Sequence, residues 1–141
     1  MPTVSADGAE LYYETEGSGE TVAFVGDAGY GAWQWGWQHD ALAGPYRVLT
    51  VDQRGHGAST GTPESVATLA SDLDSVLADA GVDRAHLVGF GLGGATALHY
   101  AREFGRARTL TLVGTPPSGD AVDGEAFEAL SAQFDYVITL G

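Results

Sequence analysis

The chain contains no cysteine, no lysine, a single methionine and no apolar run near the length of a membrane span. Without cysteine it forms no disulfide and offers no thiolate nucleophile, and any metal would have to rest on histidines and carboxylates. The four histidines, His39, His56, His86 and His99, do not stand at metal-site spacing, so the expected metal and cofactor complement is none. The opening residues lack the basic and apolar regions of a secretory signal. The expectation is therefore a cytoplasmic protein with no membrane partner.

Cations are scarce as well. Six arginines face nineteen acidic residues, giving a formal net charge of −13. No basic patch is available to displace counterions from a phosphate backbone, which argues against a nucleic-acid partner. Such an excess repels itself in dilute buffer and is screened in concentrated salt, where the Debye length falls to about 3 Å at 1 M. Acid surplus combined with absent lysine resembles the composition of proteins from salt-accumulating halophiles.

What is present is a chain of 141 residues, 44% hydrophobic, with 21 glycines. That length suits one domain able to bury roughly 68% of its unfolded surface. Residues 9–16 read as an exposed strand, with a short strand around Val4 before it, and 21–26 as a strand buried on both faces. A helix is predicted over 32–42, with Trp33 and Trp37 on one face, and a strand over 46–51. Thr62 and Pro63 read as the start of a helix whose apolar positions run from Val66 to Ala80, with Asp72, Asp74 and Asp79 on its solvated face. Further strands are expected at 86–90 and 109–113. A short helix at 125–133 and a β-like run at 136–140 complete the pattern. Alternation of strands and helices predicts an α/β fold, a mostly parallel twisted sheet with helices on both faces. Residues 1–119 would form its core. Residues 120–141 would be a helix with a strand, or the start of a truncated lid.

The most informative stretch runs from His86 to Leu98, where a strand turns through Gly89, Gly91, Gly93 and Gly94 into a helix. Two chemistries use such a turn. Gly89-Phe-Gly91-Leu-Gly93-Gly94 matches the Gly-x-Gly-x-x-Gly of dinucleotide folds, and it matches the nucleophile elbow Gly-x-Ser-x-Gly except that Gly91 stands at the serine. A dinucleotide turn normally follows the first strand and has an acid about 20 positions on to bind ribose. Here the turn follows a late strand, and the corresponding segment, 110–115, has no carboxylate.

The other context is filled. A strand hairpin, a strand ending in a glycine loop, a helix, and then Asp52-Gln-Arg54-Gly-His56-Gly-Ala-Ser59 before the glycine turn resemble the α/β-hydrolase superfamily, in its lipase, esterase and epoxide-hydrolase branches. The resemblance covers residues 1–119 and implies an incomplete α/β-hydrolase fold. It also implies a pocket at the carboxyl ends of the strands, with backbone N–H groups of Leu92 and Ala28 as the oxyanion hole, and Tyr30, Trp33 and His56 around it. Asp52 and Arg54 would pair with each other.

The pattern is broken at the chemistry. Gly91 has no oxygen with which to form an acyl-enzyme. Asp27 stands in the oxyanion loop where the family has histidine, and reads either as a turn residue or as a base for water. Asp120 is the one candidate for the triad acid, and no histidine follows His99. The expectation is a family member that acts on a small ester or related substrate by resemblance but lacks the usual triad, as a pseudoenzyme or a partial chain. The alternative is a non-catalytic small-ligand or interaction module, self-associating through a sheet edge left open near 109–113. Nucleotide binding at the turn is a third reading, disfavoured by the acid surplus and the missing ribose carboxylate.

Overall fold

Apolar runs with period two alternate with helical stripes along the chain, and they assemble into one seven-stranded sheet. The computed structural model describes residues 3–26, 36–62, 65–113 and 137–140. Two antiparallel strands, β1 (Thr3–Ala6) and β2 (Ala9–Glu16), open the fold, followed by β3 (Thr21–Val25), α1 (Gly36–Leu42) and β4 (Arg47–Val51). Then come α2 (Val66–Asp79), β5 (Ala85–Phe90), α3 (Leu92–Glu103), β6 (Ala107–Val113) and β7 (Val137–Leu140). The spatial order is β1-β2-β4-β3-β5-β6-β7, with every pair from β4 onward parallel.

The pleat sorts side chains between two layers. Ala23, Val25, Leu49, Val51 and Leu87 face α2 and α3 in the larger core, while Val22, Phe24 and Val48 face the other way, with Leu42 and Ala43 packed on them. Helices thus lie on both faces, as an α/β sheet requires. Parallel registers such as Val25↔Val51, Val25↔Gly89 and Phe90↔Val113 bring the carboxyl ends of β3 to β6 to one edge, where Gly26, Asp52 and Gly91 follow.

Several expectations are corrected. Strand β2 is not exposed: Leu11, Tyr12 and Tyr13 are buried, because β1 and β4 flank it and Leu11 and Tyr13 lie in the α2 and α3 core. Helix α2 starts at Val66, not at Thr62 and Pro63. Its cap is Ser65, in extended conformation, whose hydroxyl accepts from the Thr68 N–H at 3.1 Å. The sheet does not end at 109–113, since β7 pairs along β6 from Leu110↔Val137 to Val113↔Leu140. Of the three acids expected on a solvated face only Asp79 is exposed. Asp72 is buried, Asp74 accepts from the Tyr100 hydroxyl and pairs with Arg106, and Asp79 accepts from the Tyr13 hydroxyl.

Those phenol–carboxylate contacts have an electrostatic consequence. A carboxylate beside a buried hydroxyl favours the neutral phenol. Burial and the Asp79 hydrogen bond push Tyr13 up to about 12, and the Glu14 hydrogen bond with burial pushes Tyr12 up to about 12. Tyr100 is raised further still by burial and Asp74.

Candidate active site

The turn between β5 and α3 is built by close approach. A Cβ at Gly93 would lie 2.0 Å from the Val25 carbonyl oxygen, and one at Gly89 would lie 2.5 Å from the Gly94 Cα. Only glycine permits the first turn of α3 to press against the ends of β3 and β5 at once. Gly91 caps the helix with φ 58° and ψ −118°, a backbone that L side chains adopt only under strain. Its N–H donates to the Val113 carbonyl at 3.0 Å, and its own carbonyl accepts from Ala95, so the turn is tied to β6 and to the helix. The result is a sharp strand-to-helix turn at the carboxyl end of β5.

The loop after β4 supports that turn. Asp52 accepts from the Ala58 N–H at 2.8 Å, and Ser59 donates to the Asp52 carbonyl while its oxygen accepts from Tyr12 N–H at 2.8 Å. These bonds close the loop onto β2. Arg54 forks onto both oxygens of Asp72 at 2.9 Å, and its other N–H groups reach the Ala6 and Asp7 carbonyls. The pair is almost dry, with side chains 5% and 8% exposed. The fork expected to meet Asp52 therefore reaches across to α2. Asp72 follows Leu69 by three positions and precedes Val76 by four, on the same stripe as the buried leucines, and that spacing is the signal that marks it as buried.

Gln53 was not singled out by the sequence. Its amide donates to the Gly26 carbonyl at 3.0 Å and accepts from the Thr96 hydroxyl at 2.7 Å. Thr96 in turn lies 3.1 Å from the Leu92 carbonyl. One buried carboxamide thus joins the end of β3 to the first turn of α3. A polar residue inside the Asp52–Ser59 loop gives no periodic signal, so only the fold identifies it.

Of the remaining sequence-predicted residues, Leu92 opens α3 directly after Gly91. His56 is half-buried in the β4 loop, its Nδ1 3.0 Å from the Arg54 carbonyl. Asp27, Ala28, Tyr30, Trp33 and Asp120 lie outside the described residues, as does the predicted helix over 125–133. Among the described residues no cluster of histidines and carboxylates is arranged to hold a metal, and no helix is long and apolar enough to cross a membrane.

Comparison with known proteins agrees with this architecture. A family model described as the alpha/beta hydrolase fold matches residues 26–139. The chain is 34% identical over 131 residues to a putative carbamate hydrolase RutD of Azorhizobium caulinodans, covering 91% of this chain and 49% of that protein. It is 31% identical over 145 residues to the non-heme chloroperoxidase CPO-A1 of Kitasatospora aureofaciens, covering 88% of this chain and 50% of the relative. A hydrolase from Pseudomonas aeruginosa superposes with a TM-score of 0.78 at 32% identity, over 84% of this chain and 48% of that one. The chain thus spans about half the length of the relatives it matches. Glycine turn, flanking loop, sheet order and family match lead to one assignment: the chain belongs to the α/β-hydrolase fold family.

Proposed function

We propose that this chain presents the binding half of a hydrolase site, for a small ester or related carbonyl compound, without the covalent route. The observation that carries it is Gly91 at φ 58° and ψ −118° between β5 and α3, which supports reading this turn as an elbow whose residue has no nucleophilic oxygen. Relatives named as an enol-lactonase and a thermophilic esterase place esters and lactones within the chemistry of similar folds. Acyl transfer needs a hydroxyl or thiol with a base in reach, and position 91 supplies neither. The test compares p-nitrophenyl ester hydrolysis by the native chain and by Gly91→Ser in concentrated salt. Both are expected to release p-nitrophenolate along the same time course, with no acyl group on residue 91. Acylation of the introduced serine would reveal a working base near the elbow and overturn the proposal.

A second reading, pairing of two copies through the sheet edge, draws support from β7, which ends the strand order among the described residues. An edge strand offers unpaired backbone groups to another chain. Sedimentation in concentrated salt is expected to show a dimer, and a clean monomer would refute it.

A further inference from the structure

At the opposite end of the sheet from Gly91, three strands bring a hydroxyl, an imidazole and a carboxylate into line. His86 and Thr109 are register partners on β5 and β6, and the Thr21↔Ala85 pairing brings Glu20, just before β3, to the same rim. The Thr109 hydroxyl lies 2.7 Å from His86 Nδ1, and His86 Nε2 lies 3.6 Å from Glu20 Oε2. Arg108 pairs with the other Glu20 oxygen and holds that carboxylate in place. When the Thr109 hydroxyl donates to Nδ1, the ring proton sits on Nε2 facing Glu20, the tautomer a general base requires. A nucleophile in hydrogen-bond reach of a base, itself oriented by a third group, is the recognisable arrangement of nucleophilic catalysis. His86 stands five residues before Gly91 on an extended strand, about 16 Å away, so this cluster is separate from the elbow.

We propose that Thr109, His86 and Glu20 form a second site, which takes acyl groups from small activated esters. The His86 side chain is 25% exposed and Thr109 is half-buried, so an acetyl-sized group suits it better than a long chain. Val22, paired with His86, and Val88, on the same face, give it an apolar floor. Thr109 Oγ1 attacks the acyl carbon as its proton passes to His86 Nδ1. The new Oγ1–C bond forms while the bond to the aryl oxide breaks, and the aryl oxide leaves as the anion. Glu20 steadies the imidazolium, which then gives its proton to solvent. Water, deprotonated by His86, then attacks the acyl carbon, the Oγ1–C bond breaks, Thr109 Oγ1 takes the proton back from His86, and the free acid leaves.

Neither lysine nor cysteine competes for the acyl group, and peptide mapping distinguishes Thr109 from the tyrosines and histidines. The full chain is treated with p-nitrophenyl acetate and the modified residue is located by peptide mass spectrometry. One acetyl group on Thr109 is expected. It should disappear in Thr109→Val, persist in Thr109→Ser, and form about 100-fold more slowly in His86→Gln, the scale of a lost general base. Glu20 acts through His86 and is a positioning residue. Glu20→Gln should slow acylation several-fold with partial recovery in Glu20→Asp, which a purely structural carboxylate would not give. Circular dichroism of each variant establishes that it is folded, and Thr109→Ser decides the matter if Thr109→Val is not. Absence of acetyl from Thr109, its appearance on a histidine alone, or an unchanged rate in folded His86→Gln would each overturn the proposal. Acylation at residue 91 in Gly91→Ser bears on the elbow and leaves this result separate.

Discussion

At the scale of single residues, two buried polar groups carry opposite energetic signs. Thr50 on β4 is 1% exposed and its hydroxyl has no hydrogen-bond partner among the described residues. A buried unmatched hydroxyl costs more than the apolar group that replaces it. Thr50→Val preserves the shape and is expected to stabilise the fold by about 1 kcal/mol, read as a higher midpoint in urea unfolding. Asp72 is the reverse case. It satisfies both prongs of the Arg54 fork, and Asp72→Ala would strand a buried guanidinium among the carbonyls of Ala6 and Asp7. A loss of about 3–5 kcal/mol is expected from the same unfolding measurement. Thr50 and Asp72 are both polar residues inside apolar patterns, and only the partners distinguish them.

At the scale of elements, strand β2 connects sequence pattern with pH behaviour. Tyr12 and Tyr13 project to opposite faces and each meets a carboxylate, Glu14 for the first and Asp79 of α2 for the second. Their folded values, about 12, lie above the ordinary 10, so the unfolded chain gives up these protons first as the pH rises. The stability they contribute is intact below pH 10 and is lost between about pH 10 and 12. Melting temperatures followed across that window should fall, and the slope should flatten in Tyr13→Phe. The same strand shows what was legible beforehand. Its limits, Ala9–Glu16, coincide with the run between two glycine turns, and the turn from strand to helix at Gly91 was likewise legible from its glycines and apolar strand. Burial of β2 was not legible, because it depends on β1, β4 and the α2 and α3 core. Nor was the acidic side of α2, since Asp72 and Asp74 look unpaired until Arg54, Tyr100 and Arg106 are placed beside them. Patterns of spacing report local structure, whereas partners far along the chain are set by strand order.

At the scale of the whole molecule, charge and topology dominate. A net charge of −13 opposes compaction at low ionic strength. Raising potassium chloride from 0.1 M to about 2 M shortens the screening length to a few ångströms and is expected to raise the melting temperature, whereas a flat or falling curve would contradict the halophile-like reading of the composition. Strand order adds a kinetic consequence. Strand β3 lies between β4 and β5, so Thr21 pairs with Arg47 on one side and Ala85 on the other. During synthesis β3 emerges long before Ala85, a delay of about 3–13 s at 5–20 residues per second. Throughout that interval five consecutive core residues, Thr21–Val25, have one edge exposed. The nascent chain therefore passes through a window in which its central strand carries an open edge that only the later arrival of β5 closes.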